Sequence, residues 1–330
     1  MKKKIRPIEE KAVKVEGQAQ SPGSIFLFGE HAVVYGKPAI VASVGLWTKC
    51  RMSEAEKDIY IRSVGFGKAV LGKGEKKGNK DLFILLDLCQ KLLDEYDLRG
   101  KGLNLEIGSE IPPESGLSSS TAVLSSVLGA FSKLFKLDIP KKNYYGELIE
   151  FQKIIHGGKA SGSEIISSSL GGFNHISFAD GKIQAKKING LSLRAVIGDT
   201  GIRTKTSKTV AGHIPGMIKE NPKLVEEVFN EIELVSKNGL KAIKNKNITE
   251  IGELMNENQK LLNSLGLSHP KIDLAVEKAL GAGAYGAKLS GKGQGGIMFA
   301  LTDEKNQKKV AQAIKSAGLK VIEAQIGIEA

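Results

Sequence analysis

The sequence predicts an α+β protein of two lobes, and three observations lead there. Its 330 residues are enough to bury more than one hydrophobic core. Apolar, β-branched runs of strand length alternate with segments whose apolar residues recur at helical spacing. Both kinds of segment occur on each side of residues 180–190, so the lobes are expected at residues 1–185 and 186–330.

Taken in order, residues 1–20 are charged, and "AVKVEGQAQ" alternates as an opening strand does. Residues Ile25 to Val34 and Pro38 to Val44 read as paired strands, with "YGK" as the break between them. "DLFILLDLCQKLLDEYDL", from Asp81, carries apolar residues at helical spacing and stops near Gly100 to Gly102. Residues 102–137 read as a strand, a loop of Pro, Gly and Ser, and an apolar helix of about 18 residues. A further helix ends at "IIHGGK", and Asp180-Gly181 marks the turn of a hairpin. After the strand "RAVIGD", residues from about 207 to 280 read as mostly helical. "AKLSGKGQGGIMFALTD" returns to strand, and a last helix and strand follow.

Composition removes several classes. An apolar fraction of 41% with 25% charged residues belongs to a globular chain, neither disordered nor fibrous. No run reaches the roughly 18 unbroken apolar residues of a membrane span, and the lysine-rich start lacks an apolar signal core, so the chain reads as cytoplasmic. Cys50 and Cys89 form no disulfide framework, and the five histidines show no metal-ligand spacing. The formal charge of +12 is spread along the chain with only 5% aromatic residues, which reads as a solvated surface rather than a nucleic-acid stripe. Such a field favours anionic small substrates.

Three motifs carry chemistry. Gly116 to Ser120 lies between strand and helix, where free amides and the helix dipole attract phosphate, and the Ser118, Ser119 and Ser120 hydroxyls add donors or ligands for a phosphate-borne Mg²⁺. The local pattern fits equally a serine loop that only caps a core helix. Gly291 to Gly296 lets backbone approach backbone or ligand, as a bulged hairpin also does. Glu30 and His31 stand side by side in an apolar run, either as a structural pair or as a substrate contact.

Together these motifs resemble the GHMP kinase superfamily and, within it, the mevalonate kinases. "SPGSIFLFGEHAVVYGKPAI" resembles the first motif, "IPPESGLSSSTAV" the phosphate loop, and "KLSGKGQGGIMFAL" the third motif, in the family's order and over nearly the whole chain from about residue 17. The resemblance implies a two-lobed α+β fold with the nucleotide in the cleft between lobes. It implies transfer of the γ-phosphoryl of ATP, with Mg²⁺, to a mevalonate hydroxyl, and a homodimer. Carried over by position, Pro112, Pro113, Glu114, Ser115, Gly116, Leu117, Ser118, Ser119, Ser120, Thr121 and Ala122 form the nucleotide loop. Glu30 and His31 face the substrate, Ser120 and Gln152 hold Mg²⁺, Glu164 is the carboxylate that takes or orients the hydroxyl, Thr206 sits near that hydroxyl, and Ser24 occupies the position of a catalytic lysine.

The sequence departs from the family at several of these places. Ser24, Gln152 and Glu164 stand where the pattern has Lys, Glu and Asp, and Ser118 and Gln294 stand where it has glycine. Gln152 keeps an oxygen but loses a charge; Glu164 keeps the carboxylate on a longer stem. Lys159 and Lys292 are the candidates for returning positive charge to the cleft. Two other readings stay open: a related kinase for another hydroxylated acid or polyol, to which Val123 points, and a catalytically silent paralogue, to which the three changed positions point.

Overall fold

Strand β2 (Ala39–Ala55) organises the chain, because four other strands pair with it. The computed structural model describes residues 16–188, 190–203 and 212–330. Ahead of β2 lies β1 (Glu16–Phe28); after it come β3 (Ile59–Ser63), β4 (Gly67–Gly72), β5 (Glu75–Gly78), α1 (Phe83–Glu95), β6 (Gly102–Ser109), α2 (Ser119–Phe135), α3 (Tyr144–Ile155) and α4 (Ser163–Leu170). The hairpin β7 (Phe173–Ala179) and β8 (Lys182–Ile188) and strand β9 (Leu193–Asp199) follow. Helices α5 (Ile214–Glu220), α6 (Pro222–Lys244), α7 (Ile248–Ser264) and α8 (Pro270–Gly281) lead to β10 (Gly286–Ser290), β11 (Ile297–Thr302), α9 (Gln307–Ser316) and β12 (Lys320–Ile326).

Among the described residues the twelve strands form one mixed sheet in the order β10-β11-β9-β12-β2-β6-β3-β4-β5, with β1 and the β7–β8 hairpin also joined to β2. Strands from the second half of the chain therefore extend the sheet begun by the first, and residue 185 falls inside β8. Most pairs are antiparallel; β3 and β6 run parallel. The burial of β2 explains its position. Residues 39–44 are buried on both faces, whereas from Lys49 buried Cys50 and Met52 alternate with exposed Lys49 and Arg51, the period of a strand covered on one side.

The helices cover this sheet through apolar stripes. Helix α2 is buried almost all round and packs on β1 and β2. Helix α6 starts with Pro222 in its first turn and buries Val225, Val228, Phe229, Ile232 and Val235, a three-and-four spacing that turns one face inward. One core lies between α1, α2, α3 and the β3–β6 region, a second between β1, β9, β11 and helices α6 and α7, and a third under α8 and α9. No helix of the described residues is long and apolar enough to cross a membrane.

Most sequence expectations hold in outline, with three differences. The strand expected to run from Ile25 to Val34 ends at Phe28, because Gly29 and His31 both take positive φ and a 3-10 turn occupies Ala32–Tyr35. Strands β3 to β5 were not anticipated, nor was helix α4 in the serine-rich "SEIISSSL". The Asp180-Gly181 turn stands as expected, with φ of 49° and 70°, the left-handed pair of a tight hairpin.

Candidate active site

A cavity of about 830 Å³ opens where β1, α2, α3 and the loop before α4 converge. Its floor is the N-terminus of α2 with the loop before it; its sides carry Glu30 and His31, Gln152 and His156, Glu164, Arg203 and Lys292; the β3–β4 turn, Ser63 to Phe66, closes one edge.

The floor follows from local chemistry. Gly116 at φ 94° and Ser118 at φ 57° turn the chain into α2 through left-handed backbone. The first bond of that turn runs from the Ala122 amide to the Ser118 carbonyl, so the preceding amides have no intrahelical acceptor and point toward the open end. Ser115 stiffens the loop by donating to the Pro112 carbonyl at 2.8 Å. The second glycine segment lies directly against the first: a Cβ on Gly116 would stand 3.0 Å from the Ser290 carbonyl oxygen, and one on Gly291 would stand 3.0 Å from that of Gly116. Only hydrogens fit between these backbones.

One wall is a hydrogen-bonded cluster around Glu164. Ser118 Oγ donates to Glu164 Oε1 at 2.9 Å, Gln152 Nε2 donates to Oε2 at 2.6 Å, and Thr121 Oγ1 reaches Oε2 at 3.5 Å. His156 Nε2 stands 3.5 Å from the same oxygen. Ser24 Oγ donates to Ser118 Oγ at 2.8 Å from behind; it is buried and does not line the cavity. Four of the positions at which the sequence departs from the family pattern thus form one connected cluster: Ser24, Ser118, Glu164 and Gln152.

The opposite wall holds a closed ion pair. Lys288 and Glu30 are 0% and 1% exposed and bond directly, while Asn258 Nδ2 donates to the other Glu30 oxygen at 3.3 Å and Lys288 also donates to the Leu289 carbonyl at 2.7 Å. Burial pushes Glu30 above and Lys288 below the ordinary range, and each opposes the other's shift. His31 is held at φ 63°, with its ring against the backbone of Gly291 and Lys292. Burial lowers its pKa to about 4, so the ring is neutral at pH 7, and its Nε2 has no hydrogen-bond partner.

Three cationic side chains line the cavity itself. Arg203 is clamped in a fork on Asp199, with both N–H···O distances 2.6 Å. Burial acts to raise the Asp199 pKa, but the Arg203 fork outweighs it and holds the carboxyl below its usual value. Lys159 is exposed and lies over the Tyr35 ring at 5.5 Å. Lys292 is only 6% exposed.

Of the residues expected in the nucleotide loop, Pro113, Glu114, Ser115, Gly116, Ser118, Ser119 and Ser120 line the cavity, whereas Pro112 and Thr121 do not and Leu117 and Ala122 belong to the core. Thr206 lies outside the described residues. Sequence reading missed Lys288, His156 and Arg203; a lysine inside the otherwise apolar strand "GAKLS" was the one available signal.

No group of three or more His, Cys, Asp or Glu among the described residues is arranged to hold a metal. The oxygens present are of another kind: the Ser119 and Ser120 hydroxyls, the Glu164 carboxylate, and Gln152 Oε1, which is buried without a partner. Hard and mostly neutral donors of this sort suit a cation that arrives with its own phosphates.

Comparison with known proteins bears on this arrangement. Residues 84–172 match the GHMP kinases N terminal domain family, and residues 240–320 match GHMP kinases C terminal. The chain is similar to the mevalonate kinases of Thermococcus gammatolerans and Pyrococcus furiosus, each 33% identical over 327 residues that cover 91% of this chain and 93% of the relative. In fold it is similar to the crystal structure of Methanococcus jannaschii mevalonate kinase, with 24% identity, a TM-score of 0.80, and 96% of this chain and 99% of the other covered.

Proposed function

This chain belongs to the GHMP kinase family and, within it, to the mevalonate kinases, and on that premise we propose that the cavity transfers the γ-phosphoryl group of ATP to a hydroxyl of mevalonate. The observation that carries the reading is the contact of Ser118, at the tip of α2, with Glu164: a phosphate-binding helix end and a carboxylate share one cavity wall.

The amides and hydroxyls at the start of α2 bind the nucleotide's terminal phosphates. Ser120 and the partnerless Gln152 Oε1 are the protein oxygens that would hold a Mg²⁺ ion bound to those phosphates, and such an ion would supply neutralisation of their charge. Glu164 accepts the proton of the substrate hydroxyl as that oxygen bonds to the γ-phosphorus; the bond from this phosphorus to the β-γ bridging oxygen breaks, and ADP leaves with the electron pair. His31, neutral and with a partnerless ring nitrogen, meets the polar substrate, while Glu30, both of whose oxygens are engaged, fixes the turn that presents it.

Purified protein given ATP, Mg²⁺ and mevalonate is expected to release ADP in proportion to all three, with galactose and glycerol as inferior acceptors. Turnover no faster than ATP hydrolysis without acceptor removes the reading; a better acceptor in the panel moves it to another GHMP kinase activity.

A further inference from the structure

A second positive group for the transferred phosphoryl is legible in the side wall of the cavity. Its three cationic side chains are not equivalent. Arg203 spends its guanidinium on both oxygens of Asp199, and Lys159 lies over the Tyr35 ring in solvent. Lys292 is enclosed to all but 6% of its surface and lines the cavity, and among the described residues its ammonium makes no hydrogen bond or ion pair. A lysine this enclosed whose ammonium opens on the cavity finds its partner in an anion that enters there.

The position of Lys292 identifies the anion. The neighbouring Gly291 touches Gly116 of the floor loop, which puts the root of the lysine beside the phosphate-binding amides. The charges that act on it are Glu114, on that same loop, Arg203, and Glu164 across the cavity. The ammonium therefore shares one cavity with the helix end and the Glu164 carboxylate, where negative charge spreads over the equatorial oxygens during transfer.

We propose that Lys292 contacts the phosphoryl group in flight and supplies the positive charge that stabilises it, a catalytic role that rests on the kinase reading above. The lysine takes no part in the exchange of bonds.

The test compares Lys292→Met, which keeps the stem, with Lys292→Arg, which keeps the charge, in the full chain. Turnover is measured together with calorimetric binding of ADP and of a non-transferable imido analogue of ATP. Loss of a preorganised charge at the transferring group is expected to lower kcat by about 10²–10³-fold in Lys292→Met, with about tenfold weaker binding of the imido analogue and ADP binding within about twofold of the unaltered chain. Lys292→Arg is expected to recover kcat to within about tenfold, and its unfolding midpoint controls for any folding defect in the methionine variant. A methionine variant with kcat within about threefold of the unaltered chain, or with equal weakening of ADP and the imido analogue at unchanged kcat, overturns the proposal and leaves the kinase reading intact. An unaltered chain that neither binds nucleotide nor turns over overturns both.

Discussion

Glu30 and Glu164 are both enclosed carboxylates on the walls of one cavity, and the protein neutralises them in opposite ways. Glu30 is sealed against the Lys288 ammonium, with an amide from Asn258 and no accessible surface to speak of. Glu164 keeps 17% of its side chain open and is held by neutral donors, a serine hydroxyl and a glutamine amide. A sealed counter-charge makes a carboxylate an anchor, with neither oxygen left for a substrate. Neutral donors orient a carboxylate and leave it able to take a proton. On the proposed reading the difference separates a group that builds the site from one that works in it.

The sharpest way to break this comparison is to remove the anchor's partner. Lys288→Met strands a buried carboxylate and is expected to cost about 3–5 kcal/mol in urea unfolding, part of which Glu30→Gln returns in the double variant. A loss under about 1 kcal/mol would put Glu30 in contact with water and erase the distinction. At the working carboxylate the expectation reverses: Glu164→Gln lowers kcat by about 10²–10³-fold while the unfolding midpoint stays near that of the unaltered chain. Equal damage to stability and turnover would make Glu164 another anchor.

His31 sharpens the sealed side through pH. Its pKa of about 4 in the folded chain against 6.5 in the unfolded means that the unfolded chain takes up the proton first. Stability is therefore full above pH 6.5 and falls toward pH 4, by about 2 kcal/mol between pH 7 and pH 5 from this group. His31→Gln should flatten that part of the stability curve; an unchanged slope would locate the proton uptake elsewhere. The smallest effect tests the neutral donors. Gln152→Glu faces Glu164 with a second carboxylate, raises the proton affinity of the pair, and moves the acid limb of the kcat profile up by about one pH unit. A limb that does not move would mean the two side chains separate in the working enzyme.

The sequence made the floor legible because its signal is local. A strand, a Gly-Ser loop and an apolar helix lie in one stretch of chain, from Gly102 to Phe135. The anchor was illegible for the opposite reason, since Glu30 and Lys288 are 258 positions apart and only the pairing of the sheet joins them. Helix α4 escaped notice because serine has weak helix propensity, and here packing of Ile165 and Ile166 decides the conformation. Strands β3 to β5 are short and lie at the sheet's edge, where exposed lysines and glycines blur the alternation. Ser24, Ser118, Gln152 and Glu164 read in sequence as separate departures; in space each answers another.

The glycine contact between residue 116 and residues 290–291 has a mechanical consequence. Two loops from distant parts of the chain touch there through bare backbone, so neither can slide or tilt without the other. On the proposed reading the nucleotide would meet a rigid seat, with Val64 and Phe66 of the β3–β4 turn, 80% and 39% exposed, at the far rim of the opening.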